Sequence, residues 1–125
     1  MIVDDTYVDR YITEHVIRQN DFAEEVILKD GAHSALSYLK ELSGTNEAVP
    51  QLIFLDIYMP HLNGWEMLGL FKELGLPAKT KIILLSASDD DDDRHRASKI
   101  PEVAGYKIKP LTEEYILDLI HNLSA

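Results

Sequence analysis

Short runs of large apolar residues recur along the chain, each stopping at a polar or charged group and giving way to a stretch of helical spacing. Leu52-Ile53-Phe54-Leu55 is the strongest run, set between Pro50 and Asp56. It predicts a strand buried on both faces, as in parallel sheets covered by helices. Lys81-Ile82-Ile83-Leu84-Leu85-Ser86-Ala87 predicts another. Shorter strands are expected over 1–3, at Glu25-Val26-Ile27-Leu28 before Asp30-Gly31, and at Gly105-Tyr106-Lys107-Ile108 before Lys109-Pro110. The first is shorter than the usual five or six residues, so either the strand is short or residues that preceded it are missing.

Between these runs the periodicity is helical. Val8, Tyr11, Ile12 and Val16 predict a helix capped by Asp5 or Thr6 that fades near Gln19-Asn20. Ala32, Ala35, Leu36, Leu39 and Leu42 form one apolar stripe. Trp65, Leu68 and Phe71 or Lys72 share one side of a helix that begins near Asn63 or Gly64 and stops at Gly75, with Pro77 beyond. The segment 94–99 has few apolar anchors, Ala97 and Ile100, and predicts the most loosely attached helix, ended by Pro101. The last helix starts at Thr112 with Glu113 and Glu114 in its first turn; Ile116, Leu117, Leu119, Ile120 and Leu123 suit it to packing on a sheet. Five strands alternating with five helices predict an α/β fold, a parallel sheet with helices on both faces. A length of 125 residues predicts a single domain over 1–125, with no internal repeat.

The ends of the strands carry the chemistry. Ile2-Val3 runs into Asp4 and Asp5, the central strand ends at Asp56, and the next ends at Ser86. The last ends at Lys109. Parallel neighbours would bring these groups to one sheet edge, the edge where open α/β sheets bind ligands. Carboxylates suit a hard divalent cation, and an ammonium with a hydroxyl suits phosphoryl oxygens. Each residue also has a plain role: Asp4 and Asp56 as caps, Ser86 as a hydrogen-bonding strand end, Lys109 as a surface lysine. Those plain roles leave three acids crowded at one edge without a cation to offset their repulsion. The run from Asp89 to Asp93 reads either as a second cation site or as a solvated helix start. Five adjacent acids cannot converge on one ion, whereas carboxylates favourably face a helix N-terminus, so the helix start is preferred. The five histidines show no ligand spacing and read as surface or loop residues.

A formal net charge of −10 argues against nonspecific nucleic-acid binding and against an anionic membrane surface. The absence of cysteine excludes disulfides and thiolate metal sites. No segment is long and apolar enough to cross a bilayer, and no signal pattern opens the chain, so a cytoplasmic location is expected.

The four strand ends, in this order and with Asp56-Ile57-Tyr58-Met59-Pro60 and Asn63-Gly64 between them, resemble the receiver domain of two-component response regulators. The stand-alone, chemotaxis-regulator-like receivers are the nearest sub-type. The resemblance covers essentially the whole chain and implies a flavodoxin-like, doubly wound (βα)5 fold with sheet order 2-1-3-4-5. It implies that Asp56 accepts a phosphoryl group from a sensor histidine kinase or phosphotransfer protein. Mg²⁺ would be held by Asp4, Asp5, Asp56 and the backbone carbonyl of Tyr58. Lys109, followed by a cis Lys109–Pro110 bond, and Ser86 would contact the phosphoryl oxygens. Ser86 and Tyr106 would form the switch that reshapes the surface of the fourth helix, fifth strand and fifth helix for an unknown downstream protein. Such a domain catalyses only its own phosphorylation and dephosphorylation. Thr6 stands where many receivers have a third acid, the loop over 43–49 looks longer than usual, and a bulky Tyr58 would shield an acyl phosphate from water. Two rivals are a degenerate receiver acting only as a binding module and a Mg²⁺-dependent aspartyl-phosphate phosphatase. Phosphatases of the haloacid-dehalogenase type usually carry a second acid two residues after the nucleophile, and here that position is Tyr58.

Overall fold

The computed structural model describes residues 1–43, 45, 49–75 and 80–123. Pro77, most of the loop over 43–49 and the side chain of Leu123, all drawn on above, lie outside the described residues. The apolar runs form strands β1 (Ile2–Val3), β2 (Leu28–Lys29), β3 (Leu52–Asp56), β4 (Lys81–Ser86) and β5 (Val103–Ile108). Helices α1 (Tyr7–Gln19), α2 (Ala32–Ser43), α3 (Gly64–Glu73), α4 (Asp91–Ser98) and α5 (Glu113–Leu123) alternate with them. The strands make one sheet in the order β2-β1-β3-β4-β5, and every pair is parallel. The expected doubly wound fold and strand order are therefore found.

Strand periodicity sorts the core into two layers, because successive side chains point to opposite faces. Ile53 and Leu55, with Val3, Ile82 and Leu84, pack against Ala35 and Leu39 of α2, Met67 and Phe71 of α3, and Ala97 of α4. Phe54, with Ile2, Ile83 and Leu85, packs against Ile17 of α1 and Ile116 and Leu119 of α5. Each fully buried side chain of this size contributes roughly 1.5–3 kcal/mol, so the central strands are the best-anchored part of the sheet.

Four local expectations change. On α1, Val8 is 59% and Tyr11 56% exposed; the buried positions are Thr13 and Ile17, with Ile12 and Val16 half-buried. A threonine can occupy the buried face because its hydroxyl donates to the carbonyl of Asp9 at 2.9 Å. Thr6 is the N-cap of α1 but makes no side-chain cap bond. The strand expected at 25–28 is shorter and lies later in the chain, at Leu28–Lys29, since β1 offers only Ile2 and Val3 as partners. On α5, Ile116 and Leu119 are buried while Leu117 is 54% exposed, so one stripe rather than the whole apolar set meets the sheet.

The acidic run behaves as a helix start. Asp90 is the N-cap of α4 and accepts the backbone N–H groups of Asp92 and Asp93, while Asp89 pairs with Arg94 at 2.9 Å. Ala97 is the one buried residue of this helix. Arg96 adds a contact 4.4 Å above the ring of Trp65. All five histidines are exposed.

Candidate functional site

Register explains how groups far apart in sequence meet. Val3 pairs with Leu55, so Asp4 and Asp56 leave the sheet at the same level. Ser86 pairs with Ile108, and the next residue, Lys109, donates its backbone N–H to the carbonyl of Ser86 at 2.8 Å. The four strand ends β1, β3, β4 and β5 therefore open on one edge. The Lys109–Pro110 peptide is cis.

At that edge Asp4, Asp5 and Asp56 each present a carboxylate oxygen, and these atoms lie within 4.8 Å of one another. Among the described residues no other trio of acids or histidines converges this closely. Asp4 and Asp56 are buried, 1% and 4% exposed, and Asp5 is exposed. The ammonium of Lys109 lies 2.9 Å from Asp4 Oδ2, 2.9 Å from Asp9 Oδ2 and 3.4 Å from Asp56 Oδ2. Three acids around one lysine leave excess negative charge in a poorly solvated place. Burial pushes the Asp56 carboxyl up to about 7; Lys109 opposes the rise, Asp4 adds to it, and the Tyr58 N–H, 3.3 Å from Asp56 Oδ1, opposes it again. For Lys109, burial acts to lower the ammonium, but its close pairing with Asp4, its bond to Asp9 and the charges of Asp56 and Asp4 reverse this and hold it raised.

The chemistry of the donor set fits a hard cation. Asp4 Oδ1 accepts the Thr6 N–H at 3.0 Å, and Arg10 Nη1 grips the Asp4 carbonyl at 2.7 Å, so the side chain is fixed in place. Asp4 Oδ2 is buried, and although Lys109 is near, no well-directed hydrogen bond reaches it. Lys109 offsets part of its charge, and a cation at the same edge would offset more and give the buried oxygen a directed partner.

Backbone proximity fixes the outer wall. A Cβ on Gly64 would stand 2.8 Å from Ile57 Cα and 2.9 Å from the Asp56 carbonyl. Only glycine lets α3 start this close to the end of β3, and the Gly64 N–H donates to the Ile57 carbonyl at 2.7 Å. Asn63 and Glu66 close a capping box on the same helix start. Tyr58 projects outward, 53% exposed, and its hydroxyl donates to Asp93 of α4. That bond, with partial burial and nearby acids, pushes the Tyr58 phenol up to about 12. Ser86 is buried, and its Oγ accepts the Ser88 N–H at 3.0 Å. Tyr106 donates its hydroxyl to the Ser88 carbonyl at 3.0 Å, with Arg94 4.9 Å above its ring.

The sequence profile of the response regulator receiver domain matches residues 1–121. The chain belongs to that family. A two component response regulator from Cytophaga hutchinsonii superposes with a TM-score of 0.90 at 31% identity, over 98% of this chain and 93% of the other. Protein PilG of Pseudomonas aeruginosa is 28% identical over 120 residues, 96% of this chain and 82% of PilG. A probable transcriptional regulator, ycf29, of Porphyra purpurea is 29% identical over 123 residues, and this chain spans 54% of its length.

In this receiver domain Asp4, Asp5, Asp56 and Lys109 sit together. The Ser86 carbonyl accepts the backbone N–H of Lys109, Ser86 and Tyr106 are joined to each other through Ser88 rather than to the acids, and the Tyr58 side chain crosses to α4. Local patterning missed Asp9, which contacts Lys109 across 100 positions of sequence. It also missed the contact of Arg10 with the Asp4 carbonyl and that of Asp93 with Tyr58. The available signal for Asp9 was its place one helical turn after Asp5, on the helix that leaves the acid pair. Among the described residues no helix is long and apolar enough to cross a membrane.

Proposed function

We propose that this receiver domain is a phosphorylation-controlled signalling module in which Asp56 takes a phosphoryl group from the phosphohistidine of a sensor histidine kinase or phosphotransfer protein. A carboxylate oxygen of Asp56 forms a bond to phosphorus as the donor's P–N bond breaks. The histidine nitrogen leaves with the electron pair and takes up a proton. The observation that carries this reading is the convergence of Asp4, Asp5 and Asp56 within 4.8 Å beside the Lys109 ammonium. Asp4, Asp5, Asp56 and the Tyr58 carbonyl would hold Mg²⁺, which supplies charge neutralisation at the transferring oxygens. Phosphoryl transfer is mainly positioning and neutralisation, so the remaining work falls to Lys109 and Ser86 as donors to phosphoryl oxygens.

The hydroxyl of Ser86 and the hydroxyl of Tyr106 hold the N–H and the carbonyl of one residue, Ser88. A Ser86 drawn toward a phosphoryl group gives up the Ser88 N–H and loosens the turn that Tyr106 grips. The α4 helix, anchored by Ala97 alone among its buried residues, follows at small energetic cost. The output is a changed α4–β5–α5 surface offered to a downstream protein in the cytoplasm, with no part for nucleic acid or membrane. The domain acts only on itself rather than as a turnover enzyme. Tyr58 offers a phenol bound to Asp93 where a phosphatase of the haloacid-dehalogenase type needs an acid.

Incubation with acetyl phosphate and Mg²⁺, followed by intact mass, tests the proposal. Gain of one alkali-labile phosphoryl group, lost on omission of Mg²⁺ and in Asp56→Asn, is expected. A labelled Asp56→Asn variant, or no label with any small phosphodonor, would overturn it.

A further inference from the structure

An ammonium has three N–H donors, and three carboxylates surround that of Lys109. Asp4 belongs to the acid pair and Asp56 is the phosphoacceptor of the reading above. Asp9 has no part in either. It sits in the first turn of α1, where an acid is favoured by the helix dipole. That preference explains a charge at this position but not why the carboxylate reaches the lysine at 2.9 Å. The Lys109 side chain is 13% exposed and that of Asp9 36%, so their bond lies partly out of water. The ammonium also stands nearer to Asp4 and Asp9 than to Asp56, at 2.9, 2.9 and 3.4 Å.

We propose that Asp9 is a positioning residue: it occupies one donor of Lys109 in the unphosphorylated domain and holds the ammonium back toward α1, where it competes with a phosphoryl group on Asp56. The inference rests on Asp56 as phosphoacceptor. A phosphoryl group brings several anionic oxygens to the same edge, and its claim on Lys109 is weakened by whatever fraction of the ammonium Asp9 retains. The Asp9 carboxylate also repels the arriving anion. Both effects have one sign. Removing the Asp9 charge favours the phosphorylated form and any anion that mimics it. A partly exposed charge-assisted bond of this kind sets the scale at roughly 3- to 10-fold.

Beryllofluoride, a phosphoryl mimic, provides the test. Its apparent Kd at fixed Mg²⁺ is measured by calorimetry for the wild type, Asp9→Asn, Asp9→Ser and Asp9→Glu, with thermal unfolding of each protein alongside. Asp9→Asn and Asp9→Ser are expected to bind about 3- to 10-fold more tightly, and Asp9→Glu, which keeps the charge, to return toward the wild type. A residue serving only the helix start would lower Tm and leave the Kd unchanged. Unchanged or weaker binding by Asp9→Asn and Asp9→Ser, with a wild type that binds, overturns the role of Asp9 alone. A wild type that neither binds beryllofluoride nor accepts phosphoryl from acetyl phosphate removes the phosphoacceptor reading, and this inference with it.

Discussion

Replacing Asp56 by Asn is expected to stabilise the cation-free domain at neutral and alkaline pH. Asp56 is 4% exposed, and burial beside Asp4 raises its carboxyl from an ordinary 3.8 to about 7. Each tenfold change in proton affinity is worth about 1.4 kcal/mol, so the ionised carboxylate costs the folded state up to about 4 kcal/mol. The sign follows from linkage. The folded pKa lies above the unfolded one, so the folded state holds the proton more tightly, and stability declines as pH rises through the window from about 4 to about 7. Asn carries no charge at any pH and escapes this decline. Between pH 5 and pH 8 the wild type should lose roughly 2–3 kcal/mol relative to Asp56→Asn, or roughly 6–12 °C in Tm for a domain of this size. Thermal unfolding by circular dichroism in EDTA, at several pH values for both proteins, measures the difference. Mg²⁺ should then raise the wild-type Tm at pH 8 and leave the variant nearly unmoved. Equal Tm values at pH 8 in EDTA, or a gap that does not grow from pH 5 to pH 8, would mean that the ionised Asp56 carboxylate carries no such cost.

Gly64→Ala should destabilise by about 1–3 kcal/mol in urea titration, because its Cβ meets the backbone at Ile57 and Asp56 and neither can yield. Gly69→Ala, with open space around its Cβ inside α3, should stabilise by about 0.5–1 kcal/mol. Asp90→Ala removes the α4 cap and should cost about 1 kcal/mol, read by hydrogen exchange as faster opening of α4 than of α3. Ile17→Ala should cost about 2–5 kcal/mol by denaturant unfolding, whereas Val8→Ala, on the exposed side of the same helix, should stay within about 0.5 kcal/mol.

The fold was legible because the strands buried on both faces, Leu52–Asp56 and Lys81–Ser86, read as unbroken apolar runs, and their polar terminators mark the functional edge. The trio of acids and Lys109 was legible for the same reason: a parallel sheet sends every strand end to one side. What local patterning did not carry was orientation and distance. On α1 the spacing of Val8 and Tyr11 imitated a core stripe, yet the buried face runs through Thr13, whose polarity is masked by a bond to its own helix. On α5 an excess of apolar residues hid which stripe meets the sheet. Asp9 to Lys109 and Tyr58 to Asp93 are tertiary contacts between elements remote in sequence, and no periodicity announces them. Gly64 read as a helix start; its deciding property is the closeness of the β3 backbone.

The position of the label tests Asp56 as the phosphoacceptor most directly. After phosphorylation from acetyl phosphate with Mg²⁺, borohydride reduces an aspartyl phosphate to homoserine, and peptide mass spectrometry locates the change. Conversion at Asp56, and at no other acid including Asp4, Asp5 and Asp9, is the predicted result. Conversion at another acid with Asp56 intact, or phosphate on a hydroxyl or histidine side chain, would contradict the account.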